Sequence, residues 1–180
     1  MASAFGHALT AFALGKSFPK SMGSWKFILL GICCSILPDA DVITFSLGIP
    51  YDHLFGHRGF FHSFFFAGIL GVTITLIFYP RQMIKWNGLG LILYFTLCGA
   101  SHSLLDAMTS GGLGVAFFSP WDNTRYFLPW RPIQVSPIGI DNFFSEWGWR
   151  VVKSELVWIG IPCLTVLLFS KFARTSARIK

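Results

Sequence analysis

Apolar residues gather into long blocks, broken by short segments that carry proline and charge. A helix needs about 20 such residues to cross a bilayer. Phe60–Tyr79, Gly88–Leu105 and Leu156–Phe169 approach that length, and each predicts a membrane helix. Trp25–Leu37 is shorter, but its apolar character resumes after PDAD and continues to Ile49. The opening ASAFGHALTAFALG, 14 residues long, predicts a short membrane-embedded helix. Pro38 and Pro80 predict helix ends, and Pro162 a kink. Residues 108–150 are irregular and rich in Gly, Pro, Trp and Arg. Their unpaired backbone groups cannot face hydrocarbon. That predicts an extracytoplasmic loop that caps the helices as a lid. The whole pattern reads as an all-α, polytopic membrane protein, one domain over residues 1–180 with about five membrane-embedded helices.

Composition strengthens this. Only 12% of the chain is charged, against about a quarter in soluble domains, and the mean hydropathy is +0.60. Cys33, Cys34, Cys98 and Cys163 all sit in apolar runs without C-x-x-C spacing, so buried free thiols are expected. The first lysine, Lys16, follows the first apolar stretch, the reverse of a cleavable signal's order.

The net charge of +6 is arranged by topology. Lys16, Lys20, Lys26, Arg81, Lys85, Lys171, Arg174, Arg178 and Lys180 lie in three regions that hold no acidic residue. Placing those regions in the cytoplasm satisfies the positive-inside rule, with the C-terminus inside. The other ends of the helices then carry His7, Asp39, Asp41, His57, His62, His102 and Asp106 to the extracytoplasmic side. The same dispersal leaves no basic face for nucleic acid.

Those residues are the candidate chemistry. SHSLLD spaces His102 and Asp106 four apart, on one helix face, where an imidazole and a carboxylate can share a cation. LPDAD sets Asp39 and Asp41 close enough to repel unless a cation or strong donors intervene. HRGFFH supplies His57 and His62 around a turn at Gly59, and His7 is an ionisable group inside an apolar helix. His53 reads as a surface or supporting residue, and Asp141 as a helix cap. Histidines with carboxylates and no thiolate suit zinc best, with manganese or iron next. Seven donors exceed one tetrahedral site, so two ions are expected, an arrangement suited to phosphoester hydrolysis. Arg58, a permanent cation among metal ligands, suits an anionic substrate, and Arg125 and Arg131 could reach over from the loop. No H-E-x-x-H, G-x-S-x-G or Walker A sequence is present.

With Gly6–His7, LPDAD, HRGFFHS and SHSLLD in this order, the chain resembles the YdjM-type inner-membrane metal-dependent hydrolase family. The resemblance implies metal ligation by His7, Asp39, Asp41, His57, His62, His102 and Asp106. A more distant similarity is to zinc-dependent phospholipases C and trinuclear-zinc nucleases, through His7, Asp41, His57, His102 and Asp106. Those enzymes use further downstream histidines, whereas none follows His102 here, so two ions are expected rather than three.

The function expected from all this is hydrolysis of a lipid or lipid-linked phosphoester at the extracytoplasmic face of the inner membrane, through a metal-activated water. Asp41, Arg58 and His62 are the expected catalytic residues, and Arg58, Arg125 and Arg131 the substrate-binding ones. Membrane lipids are the expected partners. The alternatives are a metal-ion transporter or sensor, and a non-catalytic scaffold with a structural metal.

Overall fold

The computed structural model describes residues 1–19, 22, 24–83, 86–137 and 140–179. Lys20, Lys85 and Lys180 lie outside the described residues, as do the side chains of Asp141 and Arg178. The chain is helical: α1 (Ala4–Ser17), α2 (Trp25–Ile36), α3 (Ile43–Ser46), α4 (Phe64–Phe78), α5 (Pro80–Met83), α6 (Trp86–Ala107), α7 (Ile140–Phe143), α8 (Glu146–Glu155) and α9 (Ile161–Ile179). No strand occurs among the described residues, only isolated bridges at Thr109–Ile133 and Val115–Tyr126.

Serine hydroxyls start the principal helices. Ser3, Ser24, Ser63 and Ser145 accept from the backbone N–H of Gly6, Phe27, Phe66 and Gly148, pairing donors that the first helical turn leaves open. α4 and α6 pack side by side, and α1 lies against α2, α6 and α9. Tyr94 of α6 fills the centre. Its ring stacks on Phe27 at 3.8 Å and its hydroxyl donates to the Ala11 carbonyl. Gly31 makes room for it: a Cβ there would come within 2.0 Å of the Tyr94 hydroxyl.

The outer faces are apolar. Leu29, Ile77, Leu89 and Phe169 are all more than half exposed, a surface that only lipid or a partner would cover. Trp25–Ser46, Asn87–Ala107 and Glu146–Ser176 are long and apolar enough to cross a membrane, and Phe64–Phe78 is a shorter apolar helix.

The structure adjusts several expected boundaries. α2 ends at Ile36, just before Pro38 as expected, but the chain does not leave the helix axis as a loop: it tightens into a 3₁₀ turn over Leu37–Val42, where proline occupies a first-turn position with no N–H to pair. The fourth helix begins at Phe64 instead of Phe60, because Phe60–His62 forms its own 3₁₀ turn and Ser63 is the cap. The last span begins at Glu146, ten residues before Leu156, since the amphipathic EWGWRVVKSE coils without being apolar. Near Pro162 the helix widens into a π turn over Leu156–Gly160, with the Ile161 N–H on the Leu156 carbonyl. Pro162, which has no N–H to donate, follows directly on this widened turn.

The loop is docked firmly on the helix ends. Ala116 N–H donates to the Arg58 carbonyl, Phe64 N–H to Phe117, and Ser110 N–H to Ile133.

Candidate metal centre

The 3₁₀ turn at Leu37–Val42 shapes the site. With three residues per turn, Asp39 and Asp41 point in different directions and bracket His62: Asp39 Oδ1 lies 3.5 Å from its Nε2 and Asp41 Oδ2 lies 3.1 Å from its Nδ1. The turn that delivers His57 and His62 depends on glycine. A Cβ at Gly59 would stand 2.3 Å from the Leu54 carbonyl oxygen. Arg58 itself takes a left-handed conformation at φ 62°, a strain of the kind found at functional sites. Its N–H on Asp41 Oδ2 and its carbonyl on Ala116 hold it there.

His62, His102, Asp39 and Asp106 place one ligand atom each within 4.8 Å of one another, all buried. His102 Nε2 is 3.4 Å from Asp39 Oδ1, and His62 Nε2 is 3.7 Å from Asp106 Oδ2. His7 joins from α1, its Nε2 3.5 Å from Asp106 Oδ1 and 4.0 Å from Asp39 Oδ2, its ring stacked on His102 at 3.9 Å. Ligands held about 2.1 Å from one tetrahedral ion sit about 3.4 Å apart, and this set approaches that spacing.

The atoms concerned lack hydrogen bonds. Both nitrogens of His7, both oxygens of Asp39, Nε2 of His102 and of His62, and Oδ2 of Asp106 are buried without one. Each such atom costs about 1–3 kcal/mol, and a cation among them would satisfy the group. The His102 tautomer is fixed for that role. Its Nδ1 lies 2.7 Å from the Ser35 carbonyl, which can only accept, so Nε2 keeps its lone pair for the centre. Ser35 also donates its hydroxyl to the His7 carbonyl, tying α1 to α2 beside the cluster.

Asp41, His57 and His62 also lie within ligand distance of one another. Here the spacing is that of a hydrogen bond, with His57 Nδ1 2.6 Å from Asp41 Oδ1. Burial alone would lower the His62 pKa, but the Asp39 and Asp41 carboxylates outweigh it and raise the pKa to about 9. Without metal, a proton is thus held where the carboxylates call for a cation.

Arg58 is fully buried. Its Nε lies 3.0 Å from Asp106 Oδ2, Nη1 donates to the Gly111 carbonyl and Nη2 to Thr109 Oγ1. Two of its five N–H groups remain beyond these contacts. Arg58 and His57 border a cavity of about 350 Å³, lined also by Tyr51, Gly112, Ser136 and Trp147. Burial pushes the Tyr51 hydroxyl above its usual pKa, which keeps it a donor.

The two loop arginines sit elsewhere. Arg125 donates to the carbonyls of His57 and Tyr51 at 2.8 and 2.7 Å, clamping the segment before the site. Arg131 lies over the Phe127 ring at 4.5 Å. Neither borders the cavity beside Arg58. His53 is exposed, its Nδ1 accepting from Phe55 N–H.

Sequence reasoning passed over Ser35, Thr109 and Glu155. Glu155 alone carried a signal, an acid directly before the apolar run that begins at Leu156. Its carboxylate accepts from the Ser3 N–H and hydroxyl, each at 2.5 Å.

Fold and site together define a helical membrane protein with a buried His/Asp cluster that could hold a metal ion. The sequence model of the YdjM inner membrane protein family matches residues 1–177, and the chain belongs to that family. It is 37% identical over 164 residues to the inner membrane protein YbcI of Escherichia coli (strain K12), covering 89% of this chain and 92% of that protein. No solved structure matches the chain.

Proposed function

We propose that this protein is a metal-dependent hydrolase, a phosphoesterase that acts on a lipid or lipid-linked phosphoester at the extracytoplasmic face of the membrane. The observation that carries the reading is a cluster of unpaired His and Asp atoms joined through Arg58, which pairs with Asp106 of the cluster, to a cavity that Arg58 and His57 border. A metal transporter would be expected to spread such ligands along a path at mid-membrane; here they gather at helix ends beside a guanidinium.

In this reading His7, Asp39, His62, His102 and Asp106 hold one divalent ion, zinc first by ligand type, with manganese or iron as the alternatives. When bound, that ion supplies Lewis acidity, activating water and polarising a phosphoryl oxygen. Asp41 orients His62 by its Nδ1 and pairs with His57 on the other side. His57, with Nδ1 on Asp41, turns its remaining nitrogen to proton transfer in the cavity. Arg58 is held rigidly by Asp106, Thr109 and Gly111 and offers its remaining N–H groups to phosphate. Arg125 keeps the Tyr51–His57 segment in place and so positions the site without touching substrate.

The burial of the ligands favours a second reading, a structural ion. The five His and Asp side chains are at most 9% exposed. One experiment separates the two: elemental analysis of detergent-purified protein, followed by a screen of phospholipid and prenyl phosphate hydrolysis. One ion per chain with metal-dependent release of phosphate or of a phosphorylated headgroup supports the hydrolase. One ion without turnover on any of these esters returns the centre to a structural role. No ion in a folded chain, even after metal is added back, overturns both.

A further inference from the structure

The cavity beside Arg58 adjoins two others. It shares Met1, Ser136 and Pro137 with a second cavity of about 360 Å³ that runs on past Phe5, Phe143 and Phe144. That one shares Ser3, Phe5 and Phe143 with a third, of about 200 Å³, between α1 and the π turn, walled by Leu9, Leu156 and Ile159. The path therefore changes from a cationic, hydrogen-bonding end to carbon walls. Its far end opens on residues that face the lipid: Phe5 is 73% exposed and Leu156 60%. Gly6 sets the approach of the two walls, since a Cβ there would stand 2.8 Å from Ile159 Cδ1. Glu155, on the same wall, has both carboxylate oxygens on Ser3.

We propose that this groove holds a hydrocarbon chain of a membrane lipid whose phosphate lies at Arg58 and His57, and that the lipid slides in sideways between α1 and α8. Charge complementarity fixes the polar end, and the surrounding medium supplies the chain. A peptide would bring backbone N–H and carbonyl groups that these carbon walls do not pair. The inference rests on the phosphoesterase reading for what becomes of the phosphate, and on the groove alone for where the chain lies.

The test uses the full-length protein in vesicles that contain a phosphatidic acid bearing a photoactivatable group on one acyl chain. Crosslinks mapped by mass spectrometry are expected on Phe5, Leu9, Phe143 and Leu156. Leu9→Trp displaces about two methylenes from the groove and should lower that labelling about tenfold. Leu156→Trp on the opposite wall should do the same, which guards against misfolding of either variant. Leu93→Trp, on an exposed face of α6, should change nothing. Labelling spread evenly over the exposed helices, or unchanged in both groove variants, overturns the proposal. Groove labelling without turnover of any phosphoester would sink the hydrolase and leave the groove. Turnover of long-chain and short-chain esters equally fast in Leu9→Trp would sink the groove and leave the hydrolase.

Discussion

Asp41→Asn distinguishes a carboxylate that orients a ligand from one that is a ligand. The substitution keeps volume and burial, so it opens no cavity and acts through hydrogen bonding alone. Asp41 presents Oδ1 to His57 Nδ1 at 2.6 Å, and Oδ2 to His62 Nδ1 at 3.1 Å and Arg58 N–H at 3.2 Å. Asparagine has one acceptor oxygen and must choose a side. With the oxygen toward His57, its NH₂ opposes two donors, and His62 is pushed toward the tautomer that carries its proton on Nε2, the atom that faces the cluster. With the oxygen toward His62 and Arg58, the NH₂ faces His57 Nδ1 and pushes His57 toward the tautomer that carries its proton on Nε2 instead. Loss of a supporting hydrogen bond of this kind weakens metal binding about 10–100-fold, or about 1.4–2.7 kcal/mol. Chelator competition on the purified protein reads affinity and ions per chain together. Asp41→Asn should weaken binding within that range while saturating at the wild-type number of ions, whereas His102→Ala should abolish binding. A lower ion count at saturation in Asp41→Asn would make Asp41 a ligand of a second ion, and unchanged affinity would remove its orienting role.

Other consequences are equally direct. An ion bound only by the folded chain at about 1,000 times its Kd stabilises it by about 4 kcal/mol, so chelation should lower the melting temperature by about 8–16 °C; an unchanged melting curve would mean that the cluster is satisfied without metal. Gly59→Ala forces a Cβ against the Leu54 carbonyl and should cost more than about 2 kcal/mol, with metal affinity falling too, because His57 and His62 flank the turn. A wild-type melting temperature in that variant would refute the packing argument. Arg125→Gln removes donors to Tyr51 and His57 and should destabilise by about 1–3 kcal/mol. If it left stability intact but abolished lipid binding, Arg125 would belong to the substrate site after all.

The helices were legible where lipid contact demands a continuous apolar run. They were illegible where one begins on an amphipathic turn: α8 is a helix because Ser145 caps it and its inner face packs, and neither shows in hydropathy. The site residues stood out for the opposite reason, as His and Asp are conspicuous in an apolar chain. What each one does was not legible. Asp39 and Asp41 look equivalent in LPDAD, and only the 3₁₀ geometry turns one toward Nε2 of His62 and the other toward Nδ1. Ser35 acts through its carbonyl, which every residue has. Arg125 reads as a lid cation in sequence, yet the fold sets its guanidinium on two carbonyls.

The charge of the cluster bears on how many ions it holds. Asp39, Asp41 and Asp106 bring three negative charges and Arg58 one positive, so with neutral histidines the sum is −2. Uncompensated charge in so buried a site is costly, and one divalent cation cancels it. A second resident ion would leave +2, with Arg58 already facing the same cavity, and only an anion could then restore neutrality. The hydrogen-bond spacing between Asp41 and His57 agrees with the single-ion sum, since that pair would have to separate to take a metal. Under the proposed function one bound ion would make the site neutral, and a second would have to arrive with an anion that neutralises it.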